Sequence, residues 1–329
     1  MKTEGLVPNS PIVAQPAWVH HAGMSQDTAN TLDAAAIAHL QQWVGKSEEL
    51  HDDITAAPLR GLSATLDRDD AQPAKGTPVP PLGHWLYFLP QAPQSQIGPD
   101  GHPKRGGFLP PVPLPRRMWA GGRLVWEPGN PLRVGDAARK VSRIESVTHK
   151  SGRTGEMVFV LVKHEVHNAQ GLCLTEEHDI VYVAAAQPGA KPASPIAAQT
   201  AATWQRRIVP DDVLLFRYSA LTFNGHRIHY DRRYATAVEG YPGLVVHGPL
   251  VATLLLDLLR RELPRATLAR FEFRARRPAF DGRALVLAGC PRQPQPQPQP
   301  QPGTALVQLW AADDAGALVM DAQAVLNAL

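Results

Sequence analysis

One strongly apolar helix, predicted at residues 248–263, limits this chain's fold more than any other feature. Pro249 suits its first turn, where a missing N–H costs nothing, and Pro264 ends it. The neighbouring segment ARFEFRAR (269–276) alternates apolar and polar residues, which is typical of a strand with one wet face. Residues at helical spacing predict a helix face buried against a sheet: Leu250, Val251, Leu254, Leu255, Leu258 and Leu259. The pattern indicates the α+β class.

The chain is long enough, at 329 residues, for two domains that each bury a core. We predict an N-terminal domain over 1–183, a small-residue and proline-containing linker over 184–200, and a C-terminal domain over 201–329. The first half is predicted to contain helices at 32–45 and 47–67 and strands at 83–89, 122–127, 136–150, 156–168 and 172–183. The second is predicted to contain a strand at 211–223, the apolar helix, and strands at 267–277, 284–290, 304–313 and 317–326.

Three local features carry narrower expectations. The continuous apolar run Met157–Val162 predicts a strand buried on both faces, and residues 168–171 (NAQG) predict a hairpin turn. The Gln-Pro tract at 293–302 favours a lengthened hairpin loop over a ligand for a proline-binding module, because loop extension costs little free energy.

Composition narrows the classes of partner. The net charge of +3 is too small to indicate nucleic acid, and no apolar run reaches the ~18–20 residues that cross a bilayer. The N-terminus lacks the layout of a secretory signal, so we expect a cytoplasmic location. Cys173 and Cys290 lie in different halves, without a CxxC partner or a histidine at ligand spacing. We therefore expect no disulfide and no metal site.

Chemistry-bearing residues concentrate just before the apolar helix. The runs TFNGHRIHYD (222–231) and GYPGLVVHGPL (240–250) place His226, His229 and His247 within 24 residues, together with Asn224 and Asp231. Any one histidine alone is best explained as a satisfied structural residue. The cluster beside a helix start favours a site, because imidazoles exchange protons near neutral pH.

Gly248 follows His247 at the start of the helix, where backbone N–H groups have no partner within the helix. A carbonyl oxygen placed there would have developing negative charge stabilised, as in an oxyanion hole. The alternative explanation of this glycine is a tight strand-to-helix entry, and the two explanations are compatible.

The spacing of these motifs resembles the hydratase signature of the MaoC-like hot-dog hydratases and dehydratases. In that signature an aspartate precedes a histidine by five residues, an acidic residue follows two later, and a His-Gly pair opens the central helix. Those places fall on Asn224, His229, Asp231, His247 and Gly248. The runs 217–231, 273–282 and 113–122 look like the branch of mitochondrial-type 3-hydroxyacyl-thioester dehydratases and mesaconyl-C4-CoA or itaconyl-CoA hydratases.

The resemblance implies a double hot dog whose degenerate first half shapes the acyl pocket and whose second half is catalytic. It implies reversible hydration of a 2-enoyl-CoA, with an acyl-CoA as the ligand, no nucleic acid or membrane partner, and no metal or redox cofactor. A tandem hot dog supplies internally the pairing that single hot dogs obtain by dimerising, so we expect a monomer or homodimer. A hot-dog thioesterase and a non-catalytic acyl-CoA binding protein remain the alternatives.

One residue departs from the signature, because Asn224 stands where the aspartate is expected. An amide can orient water but cannot take its proton, so His229 is predicted to be the base. Loss of the carboxylate should help keep His229 neutral, and His226, His247 and Asp231 are expected to support it. Five arginines are candidate ligand contacts: Arg274, Arg276 and Arg277 for CoA phosphates, where solvated strand faces are an equal alternative, and Arg116 and Arg117 for a substrate carboxylate.

Overall fold

One antiparallel sheet runs through the computed structural model, which describes residues 32–152, 155–184, 194–292 and 305–327. Its strands are β1 Ser47–Asp53, β2 Arg116–Trp126, β3 Ala137–Gly152, β4 Gly155–Asn168, β5 Gly171–Val183, β6 Trp204–Ile208, β7 Leu268–Ala275, β8 Leu285–Arg292, β9 Ala305–Asp313 and β10 Leu318–Leu326. The helices are α1 Ala34–Gln41, α2 Ala56–Thr65, α3 Asp212–Leu221 and α4 Gly248–Glu262.

The strand order shows that one topology occurs twice. The sheet reads β1-β3-β4-β5-β2-β7-β10-β9-β8-β6, so the second half, read from its outer edge, is β6-β8-β9-β10-β7. In each half the first strand lies at the outer edge and the second lies at the seam, where Gly121 to Val125 of β2 pair with Arg274 to Arg270 of β7. The α+β prediction is confirmed, and the repeat is the arrangement expected of two hot dogs placed edge to edge.

Helix α4 packs against the sheet of the second half. Ten consecutive residues, 250–259, are buried, and the helix packs on β6, β8, β9 and β10. Burying leucines of this kind stabilises a fold by about 1.5–3 kcal/mol each. Asp257, with a side chain 1% exposed, receives hydrogen bonds from Arg68 at 2.7 Å, Arg206 at 2.6 Å and Arg261 at 2.8 Å. The contact with Arg68 links α4 to the first half.

Three predicted elements are wrong in type. The helix predicted at 47–67 is instead β1, paired along β3, followed by α2, with Pro58 in the first turn of the new helix. The strand predicted at 83–89 begins with a 3₁₀ turn at Gly83–Leu86. The strand predicted at 211–223 is α3, whose N-terminal Asp211 accepts a hydrogen bond from the Leu214 N–H at 2.8 Å.

The other expectations have mixed outcomes. The turn at 168–171 is confirmed between β4 and β5. The strand at 157–162 is buried on one face only, because its odd-numbered residues are half-buried. The Gln-Pro tract and residues 185–193 of the predicted linker lie outside the described residues. Among the described helices none is long and apolar enough to cross a bilayer.

Candidate active site

The segment between α3 and α4 holds the predicted site, and Asn224 begins it. The Asn224 N–H donates to the Ser219 carbonyl at 2.8 Å, and the Asn224 side-chain oxygen accepts the His226 N–H at 3.0 Å. This turn engages the amide oxygen with the backbone. The NH₂ group is therefore the part of Asn224 that remains to donate to a ligand or water.

His229 ends a single 3₁₀ turn and is 8% exposed. Its Nδ1 lies 2.7 Å from the Val245 carbonyl oxygen. Because a carbonyl only accepts hydrogen bonds, Nδ1 must carry the proton, and Nε2 is left with the lone pair that a base needs. Burial lowers the pKa of His229 to about 4, despite the opposing effect of the Val245 hydrogen bond. The imidazole is therefore neutral at physiological pH, in the direction expected from the loss of the signature carboxylate.

Two further imidazoles flank His229. His247, which is fully buried, stacks on it with ring centroids 3.8 Å apart and lies 2.8 Å from the Ser219 hydroxyl through Nε2. The His226 ring meets His229 edge to face, with ring centroids 5.3 Å apart. Burial and the neighbouring imidazoles lower the pKa of His226 to about 2 and that of His247 well below its usual value. The cluster is therefore uncharged.

The N-terminus of α4 lies beside this cluster, because the stacked His247 is its N-cap residue. No side chain caps the helix, and its first turn contains Pro249, which has no N–H. A Cβ added to Gly248 would meet nothing within 4 Å, so space is open next to its backbone. Free N–H groups at the positive end of a buried helix stabilise a carbonyl oxygen that gains negative charge.

Asp231 is turned toward its own segment. Its carboxylate accepts hydrogen bonds from Arg227, at 2.7 and 3.0 Å, and from the Tyr234 N–H at 3.0 Å. Both oxygens therefore have partners that belong to the local turn and the short π-helix after it. The predicted supporting function of Asp231 stays a prediction.

The five predicted arginines fall into different environments. Arg276 is ion-paired with Asp321, and Arg277 with Asp313 at 2.9 Å. Arg274 is exposed at the seam, beside Gly121. Burial raises the pKa of Tyr241, and the charge of Arg116 opposes that rise. Arg117 lies opposite Tyr182 across the β2–β5 pair, and its charge contributes to the lowered pKa values of His102 and His226. Of the five arginines, Arg117 is therefore the one whose charge acts on the imidazoles.

Two residues of the first half join the cluster without having been predicted. His102 lies with its ring 4.0 Å from that of His226, and its Nδ1 is 3.1 Å from the Asp100 carboxylate. Ligand atoms of Asp100, His102 and His226 lie within 4.8 Å of one another, so they are the described residues grouped closely enough to be considered for a metal. The sequence feature that could have identified His102 is its position directly after Asp100 and Gly101, inside a loop rich in proline and glycine.

A cavity of about 480 Å³ lies elsewhere, where β1 and β4 end and β3 begins. It is lined by residues 51–53, 137–139 and 167–169. It contains none of the imidazoles next to α4. The candidate site is therefore identified by the chemistry of its residues and their position beside α4.

The sequence matches the family model described as hydroxyacyl-thioester dehydratase type 2 over residues 82–281. A mesaconyl-C(4)-CoA hydratase of Chloroflexus aurantiacus is 50% identical over 73% of this chain and 84% of its own length. The mitochondrial hydroxyacyl-thioester dehydratase type 2 of Schizosaccharomyces pombe is 29% identical over 70% of this chain and 86% of its own length.

Solved structures confirm the fold. A MaoC-like dehydratase from Phytophthora capsici aligns with a TM-score of 0.61 at 13% identity, covering 89% of this chain and 98% of that one. A Mycobacterium tuberculosis protein described as a double hot dog aligns with a TM-score of 0.55 at 13% identity, covering 86% and 96%. With the repeated topology and the matched family model, these findings show that the chain is a double hot dog and belongs to the hydroxyacyl-thioester dehydratase type 2 family.

Proposed function

We propose that the protein is a hydro-lyase that adds water reversibly across the double bond of a 2-enoyl-CoA. One observation carries the proposal: His229 is held by the Val245 carbonyl with Nε2 unprotonated, and it stacks on the residue that precedes Gly248. A neutral base and an electrophilic helix terminus thus lie side by side. The names of the relatives support the same class of reaction.

The proposed step needs only these groups. The thioester carbonyl lies against the free N–H groups of α4, and water lies between His229 Nε2 and the Asn224 amide. As the water oxygen bonds to the β-carbon, its proton moves to Nε2 and the π electrons move onto the carbonyl oxygen. The enolate then collapses and takes that proton at the α-carbon, so His229 returns to its neutral form. General acid–base catalysis contributes about 10²–10⁴-fold and an oxyanion contact about 10²–10³-fold.

Hydration is redox-neutral, and both activating groups come from the chain, so we propose that no metal or redox cofactor takes part. His226 and His247 are proposed to keep the base desolvated and oriented. The β2–β7 seam supplies the edge-to-edge contact of two hot dogs, and we propose a monomer or homodimer on that ground. A cytoplasmic location remains a sequence-based expectation.

The acyl group is proposed to be short, branched and dicarboxylic, such as mesaconyl-C4-CoA or itaconyl-CoA. The relative that is 50% identical bears the name of a mesaconyl-C(4)-CoA hydratase, and Arg117 places a guanidinium near His226. Arginine binds carboxylates through two parallel hydrogen bonds. Arg116, beside Tyr241, is the weaker candidate.

For the CoA phosphates we favour Arg274. Arg276 and Arg277 already pair with Asp321 and Asp313, so phosphate binding there would have to displace a carboxylate. Arg274→Ala is therefore expected to raise KM for every acyl-CoA tested, whereas Arg276→Ala should change it little. The comparison uses initial rates with one substrate and the two variants.

Incubating the protein with mesaconyl-C4-CoA, itaconyl-CoA and crotonyl-CoA, followed by mass spectrometry, tests the proposed activity. We expect products heavier by one water, with the carboxylated acyl groups turned over fastest. Release of free CoA thiol without a hydrated product would instead identify a thioesterase. Binding without turnover of any of them would identify a non-catalytic acyl-CoA binding protein.

A further inference from the structure

A loop of the first half contacts the catalytic segment, by which we mean residues 222–247 between α3 and α4, where the proposed base lies. The Arg227 N–H donates to the Asp100 carbonyl at 2.9 Å, and the Arg227 guanidinium donates to the Pro99 carbonyl at 3.0 Å. Gly101 packs so closely on Gly225 that an added Cβ would lie 1.7 Å from the Gly225 carbonyl oxygen. This docking brings the side chains of Asp100 and His102 to the imidazole cluster.

Asp100 fixes the orientation of His102. One carboxylate oxygen accepts the His102 backbone N–H at 3.0 Å, and the other lies 3.1 Å from its Nδ1. Nδ1–H therefore donates to the carboxylate, and Nε2 faces away from it. Burial and the charges of Arg117 and Arg105 lower the pKa of His102, while Asp100 opposes them. The lowered pKa favours the neutral form of His102 in the free protein.

Arg117 makes the region electropositive. Its side chain is half-buried and lies opposite Tyr182 across the β2–β5 pair, and it has no carboxylate partner among the ion pairs of the described residues. Arg105, which lies over the Tyr182 ring, adds a second positive charge, against the single negative charge of Asp100. A half-buried guanidinium is stabilised by a carboxylate that it can grip with two N–H groups.

An anion fits this place better than a metal ion. Two imidazoles bound to one zinc through ~2.0 Å bonds hold their ring centroids about 5 Å apart. The rings of His102 and His226 are 4.0 Å apart and tilted by 42°, which is a stacking geometry. Arg117 would also repel a cation from the same space.

We propose that Arg117 and His102 together bind a free carboxylate carried by the acyl group, and that Asp100 positions His102 for this contact. The inference rests on the proposed hydration. It assigns the first half a direct part in substrate recognition, because all three residues precede residue 183. When the carboxylate binds, His102 lies between two anions and takes up one proton from solvent at Nε2. Binding of a carboxylated acyl-CoA therefore consumes one proton.

A matched pair of substrates tests the contact. Mesaconyl-C4-CoA carries a carboxylate on the β-carbon, and 3-methylcrotonyl-CoA carries a methyl group in its place. His102→Asn keeps a donor near the Nδ1 position for Asp100 but removes Nε2. We expect this variant to raise KM for mesaconyl-C4-CoA about 10–100-fold, as for loss of a hydrogen bond to a charged group, with kcat little changed. Kinetics with 3-methylcrotonyl-CoA should not change.

His51→Asn is the matched control. His51 forms a similar histidine–carboxylate pair with Glu49 at 2.9 Å, but its side chain is 72% exposed on β1. This variant should behave as the wild type with both substrates. Arg117→Gln, on a different element, should reproduce the selective rise in KM, which keeps the test decisive if His102→Asn folds poorly.

Titration calorimetry measures how many protons the protein takes up when ligand binds. The ligand is 3-methylsuccinyl-CoA, the saturated analogue of mesaconyl-C4-CoA, which cannot add water. In buffers of different ionisation enthalpy the wild type should take up about one proton per ligand bound near pH 7, and His102→Asn should take up none. Butyryl-CoA, without the carboxylate, should bind without proton uptake to either protein.

Several results would overturn the inference. Equal losses of kcat with both substrates would make His102 an acid–base group, and unchanged kinetics would make it structural. Loss of activity on chelation, restored by zinc, would assign the cluster to a metal. If the wild type hydrates both substrates equally well, this inference alone fails. If it hydrates neither substrate nor any other enoyl-CoA, the proposed function fails with it.

Discussion

Burial sets the protonation state of the residues around the proposed base. His229 has no carboxylate neighbour, because Asn224 replaces the signature aspartate, and it contacts two neutral imidazoles. Burial outweighs the hydrogen bond to the Val245 carbonyl, which alone favours an imidazolium ion, so the pKa of His229 falls to about 4. A base this weak is fully available at pH 7, and it depends on the N-terminus of α4 to make the β-carbon electrophilic.

The pH dependence of kcat/KM follows from this pKa, since that ratio reports groups of the free enzyme. Protonation of His229 removes the base, so activity must fall as the pH drops through its pKa. We expect the acid limb near pH 4, where the pKa of His229 lies, instead of near its ordinary value of 6.5. Initial rates from pH 3.5 to 8 measure it. A limb near 6.5 would mean that another, exposed group limits the rate.

Gly248 offers a second test at the level of one residue. An added methyl group would meet open space in the free protein, so Gly248→Ala should unfold at the same temperature as the wild type within the error expected for a surface change. The thioester carbonyl must occupy that space during the reaction. We therefore expect kcat/KM to fall about 10²-fold, as for loss of one oxyanion contact. A variant with wild-type kinetics would move the carbonyl away from α4.

At the scale of elements, the site depends on a turn-rich segment between two helices and on a loop of the other half that packs against it. The sequence predicted α4, its start at Gly248 and the imidazoles that the structure brings together between α3 and α4, because helical periodicity and motif spacing are local signals. It missed α3, because Val213 and Phe216 are exposed and the helix has no clean apolar face. The N-cap at Asp211 was the readable signal.

The position of His102 beside the imidazole cluster could not be predicted from local sequence patterns. Its loop is 122 residues before Asn224 in the sequence, and only the docking of the two halves brings them together. Motif spacing therefore located the second-half residues, while the contribution of the first half depended on tertiary contacts. Asp231 was likewise predicted from the motif, but its hydrogen bonds to Arg227 and Tyr234 lie within its own segment.

The loop docking itself is testable through a pair of glycines. Gly101 has φ +90°, and an added Cβ would collide with the Gly225 carbonyl. Gly76 has a similar φ of +86°, with nothing within 4 Å of an added Cβ. Both alanine variants bear the same backbone strain of about 1–2 kcal/mol, but only Gly101→Ala should also displace the catalytic segment. We expect hydration to be lost in Gly101→Ala and retained in Gly76→Ala. Equal activities would show that the docking is dispensable.

For the whole molecule, the repeated topology explains why one half can carry the base and the other the proposed carboxylate contacts. The two five-stranded units share the β2–β7 seam, and the ion pair of Arg68 with Asp257 of α4 also joins them. A second buried polar group lies in the first half, where Glu176 accepts hydrogen bonds from His84, Trp85 and His178. Stability should therefore respond to pH through residues of both halves.

Buried neutral histidines predict acid sensitivity of the fold. His229 and His247 have folded-state pKa values below the unfolded value of about 6.5, so the unfolded chain binds more protons as the pH falls. The stability that the neutral His229 contributes above pH 6.5 is then lost as the pH falls from about 6.5 to about 4. For His229 the free energy of unfolding should drop by about 2 kcal/mol from pH 7.5 to pH 5, and His247 should add to the loss in the same direction. Urea titrations at both values measure it, and equal free energies would contradict the neutral cluster.

The central claim is that Nε2 of His229 is the base, and His229→Asn tests it most directly. Asparagine keeps an N–H near the position of Nδ1, so the hydrogen bond to Val245 and the local turn can persist while the base is removed. The measurement is the single-turnover rate of hydration of mesaconyl-C4-CoA, with substrate affinity determined in parallel. We predict a rate at least about 10²-fold below that of the wild type with unchanged affinity. A hydration rate equal to that of the wild type would contradict the account.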